Sequence, residues 1–147
     1  LNLKRVAISF FILIVIIEIA FAIIFILGSE FFPWLYLSND NSADVIETVK
    51  IASKLLIVVA IFQVFDGIQV VAQGCLRGIQ DVKIPSIICF FSYIIFGLPV
   101  MVYLGLYTEL KAIGVWTGFL FGLAFSSFFL SSRFFIMCNR IILNNGK

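Results

Sequence analysis

Histidine is absent from this 147-residue sequence, and charged residues make up only 12% of it. The three cysteines, Cys75, Cys89 and Cys138, are isolated from one another and match neither a disulfide framework nor a metal-ligand spacing. Without histidine, a His-based triad and a His-ligated metal are excluded within this chain, and no enzyme and no cofactor is predicted. The net charge of +2 is too small to indicate a nucleic-acid partner.

Apolar residues, by contrast, are in large excess. They make up 63% of the sequence, 16% is aromatic, and the mean hydropathy is +1.18, values that exclude an ordinary soluble domain. Four apolar segments are each close to the ~20 residues that cross a bilayer. The sequence therefore predicts an all-α integral membrane protein with a lipid bilayer as its surroundings, in which one transmembrane region over residues 1–147 contains spans at 6–27, 55–76, 84–106 and 112–133.

The last two spans contain glycine, proline and serine residues that affect helix shape and packing. Gly97 and Pro99 interrupt the third span and predict either a bending point or a static kink. In the fourth span, small residues recur at every fourth position, which predicts close helix packing through Gly114, Gly118, Gly122 and Ser126.

The basic residues predict the orientation. With four spans, both termini and the loop between the second and third spans lie on one side of the membrane, and Ser38–Ser42 forms a turn on the other side. The first side carries Lys4, Arg5, Arg77, Lys83, Arg133, Arg140 and Lys147, whereas the second carries Lys50, Lys54 and Lys111 together with acids that include Asp40. The positive-inside rule then predicts cytoplasmic N- and C-termini.

The second span has one polar side. At about 100° per residue, its polar residues fall within an arc of roughly 120°, and glycines adjoin that arc. An ionisable group at membrane depth is costly and usually marks a functional site. The polar residues are Gln63, Asp66, Gln69, Gln73 and Arg77, and the adjoining glycines include Gly74 and Gly78, for which we predict helix packing.

Each of these residues also has a structural interpretation. Asp66 is either a functional acid or a structural acid paired with a polar neighbour. The three glutamines either line a cavity for substrate or join helices by hydrogen bonds. Glu18, in the first span, either faces the cavity or is a buried acid with a hydrogen-bonding neighbour. In the loop after Arg77, we expect Asp81 to form an ion pair that orders the loop.

Several runs of the sequence together resemble the multidrug and toxic compound extrusion (MATE) family of transporters. FQVFDGIQ (residues 62–69) and GCLRGIQDVKIP (74–85) resemble its tenth helix and the loop that follows. YIIFGLP (93–99) resembles its eleventh helix, and GVWTG (114–118) its twelfth. The first span fits the ninth helix by position and hydropathy only.

The resemblance implies four helices of a six-helix lobe in a twelve-helix antiporter, which exchanges a small organic substrate, such as a drug or metabolite, for Na⁺ or H⁺. It also implies that Asp66 is the cation-coupling acid, with possible Na⁺ binding there, and that its partner acid lies in helices upstream of Leu1. The sequence of residues 78–85 resembles that of bacterial members of the family, which suggests the bacterial inner membrane. The alternatives are a non-transporting scaffold or truncated product, and a lipid-linked-sugar flippase of the same superfamily.

Overall fold

The structure, a computed structural model, describes residues 2–37 and 43–144. Within these ranges the chain is helical and contains no strand, which confirms the all-α fold. The turn predicted at Ser38–Ser42 and the charge of Lys147 lie outside the described residues. The elements in chain order are α1 (Asn2–Leu27), α2 (Phe31–Leu37), α3 (Ala43–Gly78), α4 (Lys83–Phe91), a π-helical turn (Ser92–Gly97), α5 (Leu98–Leu106) and α6 (Ala112–Asn144).

Four stretches are long and apolar enough to cross a membrane, and each contains one of the predicted spans. Two of them, on α3 and α6, are 35 and 32 residues long and so exceed the length that a bilayer requires. The polar sequence of residues 139–147 predicts a frayed tail, whereas helix α6 continues through Asn144. The four stretches are Leu3–Leu27, Asp44–Gly78, Lys83–Leu106 and Ala112–Leu143.

The third stretch is continuous despite its proline. Helix α4, the π-helical turn and α5 follow one another without a loop, and Pro99 lies in the first turn of α5. The backbone N–H of Leu98 donates to the carbonyl of Tyr93, five residues earlier, which is the π-helical spacing. The sequence break at Gly97 and Pro99 therefore forms a local widening of the helix, and a hinge there stays a prediction.

Helix α6 occupies the centre of the bundle and packs against α3, α5 and the π-helical turn. One stripe of its buried residues recurs at every fourth position and changes from glycines to larger residues along the helix. Near the α5 end they are glycines, so the helices approach closely, and near the other end Leu130, Phe134 and Cys138 form a hydrophobic core with residues of α1 and α3. The complete stripe is Gly114, Gly118, Gly122, Ser126, Leu130, Phe134 and Cys138.

Three of these glycines lie directly against another backbone. A Cβ atom at Gly114 would overlap the carbonyl of Leu104, and one at Gly118 would overlap the backbone of Met101. At Gly122 a Cβ would lie 3.1 Å from the Cα atom of Gly97 in the π-helical turn. This face of α6 therefore lies close to the backbone of α5 and of the π-helical turn, where Gly97 is the opposing residue.

Gly74 and Gly78 on α3 have different surroundings from the glycines of α6. Among the described residues, a Cβ atom at either position would meet no atom within 4 Å. The reason is an apolar cavity of about 380 Å³ between α1 and α3, which both glycines line. The packing predicted for these two glycines is therefore not made by the helices described here.

The loop between α3 and α4 begins with a Schellman motif. The N–H of Asp81 donates to the carbonyl of Leu76, and the N–H of Gln80 to that of Arg77. Gln80 has φ of 63°, a left-handed conformation that is usually filled by glycine. The expected ion pair of Asp81 forms outside the loop, because the partner is Arg133 on α6, with 2.6 Å between Nε and Oδ2.

Two contacts bring the predicted cytoplasmic residues to one end of the bundle. Lys4 at the start of α1 donates from Nζ to Oδ1 of Asn139 near the end of α6, at 3.3 Å. The Asp81–Arg133 pair brings the α3–α4 loop to the same end of α6. The beginning of α1, the α3–α4 loop and the last turns of α6 therefore lie together, as four spans require.

Candidate functional site: the polar face of helix α3

The polar face of α3 contacts two different neighbours. Gln63 lies against α1, whereas Gln69 and Gln73 lie against α4 and the π-helical turn. Asp66 lies between them on the same arc, about 60° from Gln63 and about 60° from Gln69 at the helical advance per residue. The four residues therefore lie on the side of α3 between its contacts with α1 and α4. Asp66 is the exposed one of the four, and this exposed side of α3 is called the gap below.

The contact with α1 is made around Glu18. The side-chain amide of Gln63 donates to the backbone carbonyl of Glu18 at 3.2 Å. One turn further along α3, a Cβ atom on Gly67 would lie 2.8 Å from Cγ and 3.0 Å from Oε1 of Glu18. The absence of a side chain at position 67 thus makes room for the half-buried side chain of Glu18.

The contact on the other side is a polar cluster centred on the sulfur of Cys89. Gln73 donates from Nε2 to this sulfur at 3.2 Å, and Ser126 of α6 donates from its hydroxyl at 3.3 Å. Gln69 lies 3.9 Å from the same sulfur and accepts a hydrogen bond of 3.3 Å from the hydroxyl of Tyr93. The cluster joins α3, α4, the π-helical turn and α6, which satisfies polar groups away from water.

Asp66 has no such partner. Its side chain is exposed, and within residues 2–37 and 43–144 it makes neither a hydrogen bond nor an ion pair. Its neighbours on the arc are held by hydrogen bonds, so the exposed carboxylate lies on a helix face that contacts fix on both sides. The structural interpretation of Asp66, as an acid paired within this chain, receives no contact in its favour from the described residues.

A resident metal would need more ligands than this face offers. In the part of the chain that the structure describes, no group of three or more His, Cys, Asp or Glu side chains could hold a metal ion. A carboxylate, amide oxygens and backbone carbonyls are nevertheless the oxygen donors that hard cations prefer. Asp66 and the neighbouring Gln63 could supply part of such a set, to be completed by other groups.

Two contributors were not predicted from the sequence. Cys89 and Tyr93 contact the polar face directly, although Cys89 stands isolated in the sequence. Ser126, predicted only for helix packing, joins the cluster through Cys89. One signal for the cluster exists in the spacing, because Gln69 and Gln73 are four residues apart and so are Cys89 and Tyr93. Two such pairs on neighbouring membrane helices each lie on one helix face and can meet.

A family model described as MatE matches residues 1–103, more than half of the chain and all of this polar face. The chain belongs to the MatE family. Its resemblance to multidrug and toxic compound extrusion transporters is thereby confirmed, as is the expectation of a transporter family and not an enzyme. The MatE match and the apolar helices together make the chain an integral membrane protein.

Relatives of this MatE chain come from several bacteria. The multidrug resistance protein NorM of Burkholderia vietnamiensis is 35% identical over 120 residues, which are 82% of this chain and 26% of that protein. Two proteins described as probable multidrug resistance protein NorM follow. That of Rhodopseudomonas palustris is 39% identical over 102 residues (69% of this chain, 21% of the relative). That of Xylella fastidiosa is 30% identical over 141 residues (96% and 29%). The chain spans about a quarter of the length of these curated relatives.

Proposed function

We propose that this chain forms part of a MatE transporter that exports small organic cations, drugs or metabolites in exchange for Na⁺ or H⁺, and that Asp66 is the cation-coupling carboxylate. The observation that carries the proposal is the exposed carboxylate of Asp66, which has no partner among residues 2–37 and 43–144 and lies in the middle of a membrane-spanning helix. Such a group is stable at that depth only when it is hydrated, protonated or bound to a cation.

The proposed mechanism follows from that requirement. Cation binding at Asp66 removes a negative charge from the gap and favours one orientation of the transporter, whereas substrate binding favours the other. A ligand shifts such an equilibrium only by its difference in affinity for the two states, so coupling requires that cation and substrate prefer opposite orientations. The partner acid and the remaining helices of the lobe would come from other parts of the polypeptide.

The neighbouring polar residues have proposed roles in that cycle. Gln63 holds α1 against α3, and Glu18 provides a second acid close to position 66. Gln69 and Gln73 fix α3 to α4 through the Cys89 cluster, and they line the gap toward the substrate. A bend at Gly97 and Pro99, where the π-helical turn weakens the backbone ladder, would let α5 move relative to α4.

The test uses the complete reading frame that contains this chain, expressed in cells or reconstituted in vesicles loaded with a fluorescent organic cation. Asp66→Asn is expected to abolish dye release driven by a Na⁺ or proton gradient, because the amide cannot exchange a charge. Imposing each gradient separately identifies the coupling ion. Glu47→Gln is the matched control, since Glu47 is also exposed on α3 but lies near its polar beginning. Normal efflux by Asp66→Asn at equal expression would refute the role of Asp66.

The proposed location is the bacterial inner membrane with both termini in the cytoplasm. Six of the basic residues counted for this orientation belong to the end of the bundle that holds the Asp81–Arg133 pair, and the positive-inside rule assigns that end to the cytoplasm. A reporter fused after Lys147 that is active only in the cytoplasm should be active. Activity at that position of a reporter that works only outside the cytoplasm would show the opposite orientation.

A further inference from the structure

A cleft of about 260 Å³ lies between the end of α3 and the beginning of α4, at the basic end of the bundle. Its lining combines polar residues with the apolar Val82 and Pro85. The cleft shares Gln73 and Cys89 with the polar cluster of the candidate site and extends from there toward the α3–α4 loop, away from Asp66. Its lining residues are Gln73, Arg77, Val82, Pro85, Ser86 and Cys89.

The charge around this cleft is positive and uncompensated. The guanidinium of Arg77 is exposed, and among the described residues it makes one long hydrogen bond, of 3.4 Å to Oε1 of Gln73. Most of its five N–H donors therefore have no partner in this part of the chain. The acid nearest in sequence, Asp81, is engaged by Arg133 at 2.6 Å and so does not neutralise Arg77. Lys83 is exposed at the start of α4 and makes no ion pair among the described residues.

The surface next to the cleft is apolar. By the helical advance of about 100° per residue, Phe90 and Ile87 follow Ser86 around α4. Both are largely exposed, at 60% for Phe90 and 52% for Ile87, in a helix apolar enough to cross a membrane. A ligand that fits the cleft and this surface together combines an anionic group with hydrocarbon chains.

We propose that this cleft binds the headgroup of an anionic phospholipid, with the phosphate on Arg77, Lys83 beside it, and the acyl chains along Ile87 and Phe90. Basic pockets between transmembrane helices at a membrane surface recognise such headgroups, and planar guanidinium groups suit phosphate oxygens. The apolar surface distinguishes this ligand from a soluble anion. The proposal concerns lipid binding and does not depend on transport activity.

Cys89 supplies a reporter, because it is one of the residues that line the cleft. The test uses the full chain carrying Cys75→Ala and Cys138→Ala in nanodiscs, with alkylation of Cys89 by the uncharged reagent N-ethylmaleimide as the readout. Replacing part of the phosphatidylcholine by phosphatidylglycerol is expected to slow alkylation. Arg77→Gln should require about fivefold more phosphatidylglycerol for the same protection, the effect of one cation near an anionic surface. Arg140→Gln, which removes an exposed cation outside the cleft, should leave protection unchanged.

Further measurements distinguish the proposed phospholipid from other occupants of the cleft. A Cys75-only variant reports any general effect of surface charge on thiol reactivity, and equal slowing at Cys75 and Cys89 would overturn the proposal. Protection by inorganic phosphate in phosphatidylcholine alone would identify a soluble-anion site instead. A Cys89 that reacts in none of the lipids, while the denatured protein reacts fully, would mean that protein covers the cleft and would also overturn it. Melting curves in detergent confirm that each variant is folded before its rates are compared.

Discussion

The glycines of α6 and those at the end of α3 have the same four-residue spacing but opposite surroundings. Gly114 and Gly118 lie against the backbone of α5, where even one added carbon would overlap another atom. Gly74 and Gly78 border a cavity, and an added carbon would meet nothing within 4 Å. Small residues at this spacing therefore permit close approach of helices, but an opposing helix at the right place decides whether the approach occurs.

The largest effect that would test this contrast is expected at Gly118. Gly118→Ala puts a methyl group into the backbone of Met101, so α5 and α6 must separate, and we expect a loss of roughly 1–3 kcal/mol in stability. Thermal unfolding of the detergent-solubilised protein measures it. Gly122→Ala should be milder, because the nearest atom is in the ring of Tyr93 at 3.0 Å. A melting temperature unchanged in Gly118→Ala would contradict the tight crossing.

A second effect, of comparable expected size, concerns the ion pair that holds the loop after α3 against α6. Asp81→Asn removes the charge opposite Arg133 in a pair whose side chains are only 12% and 25% exposed. We expect it to lower the free energy of unfolding by roughly 1–3 kcal/mol, since one partner is left without its counter-charge. The same melting assay measures this loss.

The control is a double-mutant cycle with Arg133→Gln. If the two residues interact as the structure shows, the double variant is destabilised by less than the sum of the single variants. Strictly additive losses would mean that each residue acts through other contacts.

The contrast also explains how much of the structure could be predicted from the sequence. Hydropathy predicts the four spans because a bilayer demands about 20 apolar residues whatever their neighbours are. The α6 face was predictable for a similar reason, since its small residues repeat at one helical period. The polar arc on α3 follows from helix geometry alone, including the position of Asp66 between Gln63 and Gln69.

Contacts between distant segments could not be predicted in this way. Arg133 is 52 residues from Asp81 in sequence, and local charge suggested a partner within the loop. The cluster around Cys89 depends on the rotation of α4 relative to α3, which no periodicity within one helix specifies. The open surroundings of Gly74 depend on the spacing between α1 and α3 at the cavity. In each case the missing information is the relative position of two helices.

The smallest effect on stability is expected at Gly74, which gives the sharpest test of the contrast between the glycines of α6 and those at the end of α3. Gly74→Ala adds a methyl group that meets no atom of the described residues, so packing should change little. Alanine is also the better helix former, which offsets any small loss. We expect the free energy of unfolding of the 147-residue chain to stay within about 0.5 kcal/mol of the parent value. A loss as large as that of Gly118→Ala in this chain would mean that another helix, for example from a second copy, already fills the cavity. The same loss seen only in a longer polypeptide would show that its additional helices pack on this face of α3.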